Sequence, residues 1–161
     1  MSFISIENLT TRYNTSKGLV HALEDVTFAI DKGESIGIAG ESACGKSTLG
    51  LSIIQMISNG KIYSGKIQFD GKSLLDVSDD EFNKSIRWKE ISMVFQGAMN
   101  SLDPVFSIQQ QFEEVLKQHN FEGDSKQSIL QSLNSVNLDE SVLKKFPHEL
   151  SGGMKQRVVI A

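Results

Sequence analysis

The sequence predicts an α/β fold, on three observations. Two stretches near the N-terminus alternate apolar and polar residues, a short apolar run at 35–39 leads into a loop bounded by Gly40 and Gly45, and an apolar stretch begins at Lys46. Alternation marks half-buried strands, and strand, glycine-bounded loop and buried helix in that order is the setting the G-x-x-x-x-G-K-[ST] pattern requires.

Phe3 to Leu9 sets Ile4, Ile6 and Asn8 against Phe3, Ser5 and Glu7, a strand with one wet face. Tyr13 follows in a polar loop region, Asn14 to Gly18. His21 to Ile30 alternates again, and the turn Asp31-Lys32-Gly33-Glu34 delivers the chain to the strand Ser35-Ile36-Gly37-Ile38-Ala39.

The next residues are Gly40-Glu41-Ser42-Ala43-Cys44-Gly45-Lys46-Ser47, then Thr48. A backbone that wraps a phosphate turns its N–H groups inward, so crowded positions need small side chains. Gly40, Ser42, Ala43, Cys44 and Gly45 meet that demand. A helix expected over Lys46 to Ile57 adds orphan N–H donors and the positive end of its dipole. The Lys46 ammonium reaches the outer phosphates, and the Ser47 hydroxyl suits Mg²⁺, a hard cation that keeps phosphate oxygens in its shell.

Lys66 to Phe69 closes at Asp70-Gly71 as a strand and tight turn. Ser78-Asp79-Asp80-Glu81 has capping-box spacing and reads as a solvated helix start rather than a metal site. Ile91 to Phe95 is a near-continuous apolar run, the mark of a strand covered on both faces, and ends at Gln96. From Asp103-Pro104 the character turns helical. Ser107 and Gln110 repeat the capping-box spacing, Ile108, Phe112, Val115 and Leu116 form one stripe, and Ile129, Leu130, Leu133 and Val136 form a second. A short helix over Ser141 to Phe146 ends at Pro147. Ser151 is then a natural N-cap, with Gly152 and Gly153 leaving the first helical N–H groups uncovered.

The 161 residues are at most one ordinary domain, with 39% apolar and 22% charged residues in an ordinary globular proportion. A formal charge of −4 disfavours a nucleic-acid surface. No apolar run approaches membrane-spanning length. The single cysteine, Cys44, excludes an internal disulfide and fits a reducing cytosol, where the sequons at Asn8 and Asn14 stay silent. His21, His119 and His148 read as surface or loop residues.

A phosphate loop, Gln96 after a later core strand, a helical insert and Leu150-Ser151-Gly152-Gly153-Met154-Lys155-Gln156-Arg157, in that order, resemble the ATP-binding subunits of ABC transporters. Val94 to Pro104 and Phe146 to Leu150 look like the oligopeptide, dipeptide and nickel importer branch. The resemblance implies a P-loop NTPase of ABC type, with an antiparallel β subdomain, a partial parallel core sheet and an inserted α-helical subdomain. Expected boundaries are 1–96 for the nucleotide-binding part, 97–150 for the helical part, and 151–161 for the signature and the start of its helix.

The resemblance also implies roles. Tyr13 would stack on adenine. Gly40, Glu41, Ser42, Ala43, Cys44, Gly45, Lys46, Ser47 and Thr48 would bind the phosphates of ATP, with Ser47 and Gln96 at Mg²⁺ and Gln96 at the attacking water. Ser151, Gly152 and Gly153 would contact ATP held by a second ATPase subunit, identical or paralogous. Partners would be transmembrane permease subunits and, indirectly, a substrate-binding protein, on the cytoplasmic face of the cell membrane. Ala43 departs from the glycine many relatives carry and stores strain if its φ is positive.

The expected acidic strand, catalytic glutamate and switch histidine have no counterpart after Arg157, so the chain is expected to be C-terminally truncated. It would then bind ATP weakly and hydrolyse it poorly, with open apolar surface where a core strand is missing. Alternatives are an inert structural fragment or a soluble ABC ATPase of DNA repair or translation, against which the acidic balance and the segment after Gln96 argue.

Overall fold

The computed structural model describes residues 2–161, in two compact units that divide between Met93 and Val94. In the first unit, β1 (Ile4–Thr15) and β2 (Gly18–Ile30) form an antiparallel hairpin, β3 (Gly60–Phe69) pairs with the other edge of β1, and a two-residue β4 (Lys72–Ser73) follows. The sheet order is β2-β1-β3-β4, antiparallel throughout.

All three long strands outrun their predicted limits. The loop expected after Tyr13 shrinks to a tight turn, because the Thr15 hydroxyl donates to the Gly18 carbonyl at 2.7 Å and Gly18 takes φ 122°. Tyr13 therefore lies inside β1, not in a loop. Ile6, Leu9, Ile67, Leu74 and Phe82 are buried between the sheet and its covering elements, with Leu49 of α1 (Lys46–Ile53) in the same cluster. Each such side chain contributes about 1.5–3 kcal/mol on burial.

The helix α1 stops four residues short of its expected end. Gln55 turns to φ 54°, and the guanidinium of Arg87 donates to the Ile54 and Gln55 carbonyls at 2.9–3.2 Å, capping the negative end of the dipole. At α2 (Asp79–Ser85) Ser78 caps Glu81 N at 3.3 Å, while the return bond from the Glu81 side chain is not formed.

The parallel core ladder is the main departure from expectation. Residues 35–39 and 91–95 form no strand, and Ile36 and Ile38 are 43% and 51% exposed. A strand exists only through a neighbour that pairs its backbone, and among the described residues the sole pairing here is one parallel bridge, Arg87 to Ile91. The open apolar surface expected from the sequence is thus present at Ile36 and Ile38.

The second unit is helical: α3 (Ile108–Gln118), α4 (Ser125–Ser135) and α5 (Gly152–Ile160), joined by 3-10 turns. The capping box at α3 forms as predicted, Gln110 N donating to Ser107 Oγ at 3.3 Å and Ser107 N to Gln110 Oε1 at 2.8 Å. Ile108, Ile129, Leu133, Val142, Leu150 and Val158 share one core, so α5 packs with the helical lobe. The helix expected over Ser141 to Phe146 is a 3-10 turn at Glu140–Lys144, capped by Asp139 and followed by a second at Pro147–Glu149. No helix among the described residues is long and apolar enough to cross a membrane.

Candidate nucleotide site

Within the first unit, the exposed residues Gly40 to Cys44 lead through a half-buried Gly45 into α1, with two left-handed residues, Ala43 (φ 65°) and Gly45 (φ 98°). Glycine is required at 45. A Cβ there would strike the Ala22 carbonyl oxygen and lie 2.9 Å from Leu23 Cδ2, on top of the unfavourable φ. At 43 the chain carries alanine in a conformation that disfavours a side chain, so the strain anticipated from sequence is present.

Gly45 is the N-cap of α1 and supplies no side-chain hydrogen bond, so the first-turn amides point out of the helix uncapped. Lys46 arches back over the loop. Its Nζ donates to Gly40 O at 2.8 Å, Glu41 O at 2.6 Å and Cys44 Sγ at 3.3 Å. Among the described residues no carboxylate pairs with it, so its charge is held by carbonyl dipoles that an anion can replace. That hydrogen bond from Lys46 lowers the Cys44 thiol below the ordinary range. An exposed glycine-bounded loop, uncapped helix amides and an ammonium with no carboxylate partner among the described residues together fit a polyphosphate.

Ser47 and Thr48 follow in the first turn of α1, Ser47 exposed. No cluster of three His, Cys, Asp or Glu that could hold a metal occurs among the described residues. Ser47 offers one hard oxygen, which fits Mg²⁺ only when phosphate oxygens complete the shell.

Tyr13 is half-buried, its hydroxyl 3.5 Å from Thr48 Oγ1, which sets its ring on the α1 side of the sheet. Gly60, opposite Tyr13 in β3, makes room for it: a Cβ there would lie 2.8 Å from Tyr13 Cδ1 and 2.7 Å from Arg12 O. Gly60 lies upstream of the strand read from sequence at Lys66 to Phe69 and was not singled out there. Its role depends on a cross-strand pairing that no local pattern reveals.

In the second unit, Ser151 caps α5 by accepting from Met154 N at 3.3 Å, and Gly152 and Gly153 form the exposed first turn. A Cβ at Gly152 would make an ordinary contact with Met99 Sδ at 3.7 Å, and one at Gly153 would meet nothing within 4 Å. Internal packing therefore does not require either glycine, and the helix end stands open. Gln96 is exposed in the turn that leads into the 3-10 helix Ala98–Ser101, closed by Ala98 N donating to Phe95 O at 3.1 Å, not at the end of a strand, and its side chain makes no hydrogen bond among the described residues.

The sequence profile of the ABC transporter family matches residues 23–161. The chain is similar to the oligopeptide transport ATP-binding protein AppD of Bacillus subtilis (strain 168), with 39% identity across 99% of this chain and 50% of that protein. It is 37% identical to the dipeptide transport ATP-binding protein DppD of Lactococcus lactis subsp. cremoris (strain MG1363), across 98% of this chain and 47% of that protein. Among solved structures, it aligns with the dimeric bacterial ABC transporter cassette MJ0796 at TM-score 0.82 and 31% identity, covering 98% of this chain and 67% of that one. A post-hydrolysis dimer of the same cassette, bound to ADP and Pi, aligns at TM-score 0.79 and 28% identity, with the same two coverages. The chain spans about half the length of the curated relatives it matches. The family profile over residues 23–161 and the likeness to a solved cassette over nearly the whole chain make it a member of the ABC transporter family, with the fold of its ATP-binding cassettes.

Proposed function

We propose that this chain supplies the ATP-binding site of a subunit that energises a peptide importer. The observation that carries the proposal is Lys46, an ammonium held by two carbonyls and the Cys44 sulfur, with no carboxylate partner among the described residues, beside the uncapped amides of α1. In that role the amides from Gly40 to Thr48 hold the phosphates, Lys46 exchanges its carbonyl partners for the outer phosphate oxygens, and Tyr13 offers its ring to adenine. Mg²⁺, held by Ser47 and phosphate oxygens, would offset the charge of the triphosphate. Gln96 serves the metal or the attacking water.

Ser151, Gly152 and Gly153 take the outer phosphate of ATP bound to a second ATPase subunit. The unencumbered Cβ positions of both glycines support an approach by an outside group. Relatives named for oligopeptide and dipeptide transport favour peptides over nickel as cargo, with permease subunits as partners at the cytoplasmic face of the membrane.

The test is calorimetric titration of the 161-residue chain with ATP and with inorganic triphosphate. Tyr13→Ala should weaken ATP by roughly fivefold to a hundredfold, the worth of one aromatic–base stack, and leave triphosphate unchanged. Equal effects on both ligands would remove Tyr13 from the site.

A further inference from the structure

The ring of Tyr13 is useful to a nucleotide only if β1 keeps its phase against α1, and the sheet alone does not fix that phase. Pairing of β1 with β2 is irregular between Leu9 and Thr11 and again between Thr11 and Arg12, and pairing with β3 is irregular between Thr10 and Thr11. A slip of one residue would carry Tyr13 to the opposite face and bring Arg12 to the α1 side. Burial of Ile6 and Leu9 with Leu49 opposes a full slip, but apolar contact is non-directional and does not fix how closely the Thr11 to Tyr13 stretch sits against α1.

At the irregular point sits a polar pair without solvent access. Thr11 and Ser52 are each 0% exposed, and their hydroxyl oxygens lie 3.1 Å apart. Ser52 Oγ also donates to the Thr48 carbonyl at 2.7 Å. A hydroxyl has one proton, so Ser52 spends its own on Thr48, and Thr11 must donate to Ser52. The result is a directed chain from Thr11 through Ser52 to the Thr48 carbonyl, in the residue whose hydroxyl faces Tyr13. Thr11 and Tyr13 are two apart on β1 and share its α1 face.

We infer that Thr11 and Ser52 are positioning residues for nucleotide: their buried hydrogen bond locks the phase of β1 against the phosphate-loop helix and so holds Tyr13 at a fixed distance from the phosphates. The inference rests on the ATP site proposed above. Neither residue touches ligand. Their effect passes through Tyr13, so it falls on the base and not on the phosphates.

The same titrations test it, with Thr11→Val, Thr11→Ser and Ser52→Ala in the 161-residue chain. Thr11→Val and Ser52→Ala should weaken ATP by about three- to tenfold, the range of one neutral hydrogen bond, and leave triphosphate affinity unchanged. Thr11→Ser, which keeps the donor, should restore ATP affinity. Should Thr11→Val fail to fold, Ser52→Ala removes the same bond from the helix side and carries the same outcomes. A ratio of ATP to triphosphate affinity unmoved in these variants, with binding still lost in Lys46→Ala, overturns the positioning role alone. A wild-type chain that binds neither ligand overturns the proposed ATP site and this inference with it.

Discussion

Replacing Ala43 with glycine isolates the strain stored at the mouth of the phosphate loop. Ala43 holds φ 65°, where a Cβ costs roughly 1–2 kcal/mol. Its side chain is exposed, so removal forfeits no burial. Against the relief stands the larger entropy of glycine in the unfolded chain, about 0.4–1 kcal/mol. The difference leaves Ala43→Gly more stable by about 0.5–1 kcal/mol, or a midpoint roughly 1–4 °C higher. Trp88, the chain's one tryptophan, lies in the first unit with the loop, so its fluorescence through a urea titration reports the relevant transition. A variant less stable than wild type by about 0.5 kcal/mol or more would refute the strain.

Gly45→Ala makes the opposite change at the next left-handed position. It should destabilise the first unit by about 2 kcal/mol or more in the same assay and abolish triphosphate binding, since the new Cβ displaces the loop from Ala22 and Leu23. Cys44 should react with iodoacetamide with a half-maximal pH below the ordinary thiol value of 9.0, because hydrogen bonding from Lys46 favours the thiolate. The profile should move up in Lys46→Ala, and a profile indifferent to that change would contradict the contact. Arg87→Ala removes the cap on the last carbonyls of α1 and should cost about 1–3 kcal/mol by urea unfolding, with Arg87→Lys recovering only part because an ammonium lacks the planar fork.

The site was legible in the sequence wherever its chemistry is local. The start of α1 after Gly45, the Ser151 cap and the Ser107–Gln110 capping box each depend on residues within a turn of one another, and each appears where spacing placed it. The positive φ of Ala43 was raised only as a condition, from the family resemblance and not from local spacing, and the backbone meets that condition at 65°. Long-range pairing was not. The pattern of the run Ile91 to Phe95 predicts a strand, but pattern cannot supply the neighbour that a ladder needs, and the run stays unpaired apart from its first residue. Tyr13 was assigned to a loop because Asn14 to Gly18 is polar, whereas the Thr15 and Gly18 turn lets the hairpin run past it. Gly60, Thr11 and Ser52 matter through contacts across 41 to 47 positions of chain in the cases of Thr11 with Ser52 and Tyr13 with Gly60, beyond the reach of any window.

Lys46 decides the central claim, that the loop from Gly40 to Thr48 takes the phosphates of ATP. Calorimetric titration of the chain with Mg-ATP, beside Lys46→Ala, should give saturable binding in the first and at least a tenfold loss in the second, on the order of 1.4 kcal/mol or more. Equal affinity in the two, with both chains folded by circular dichroism, would contradict the assignment of the loop to phosphate.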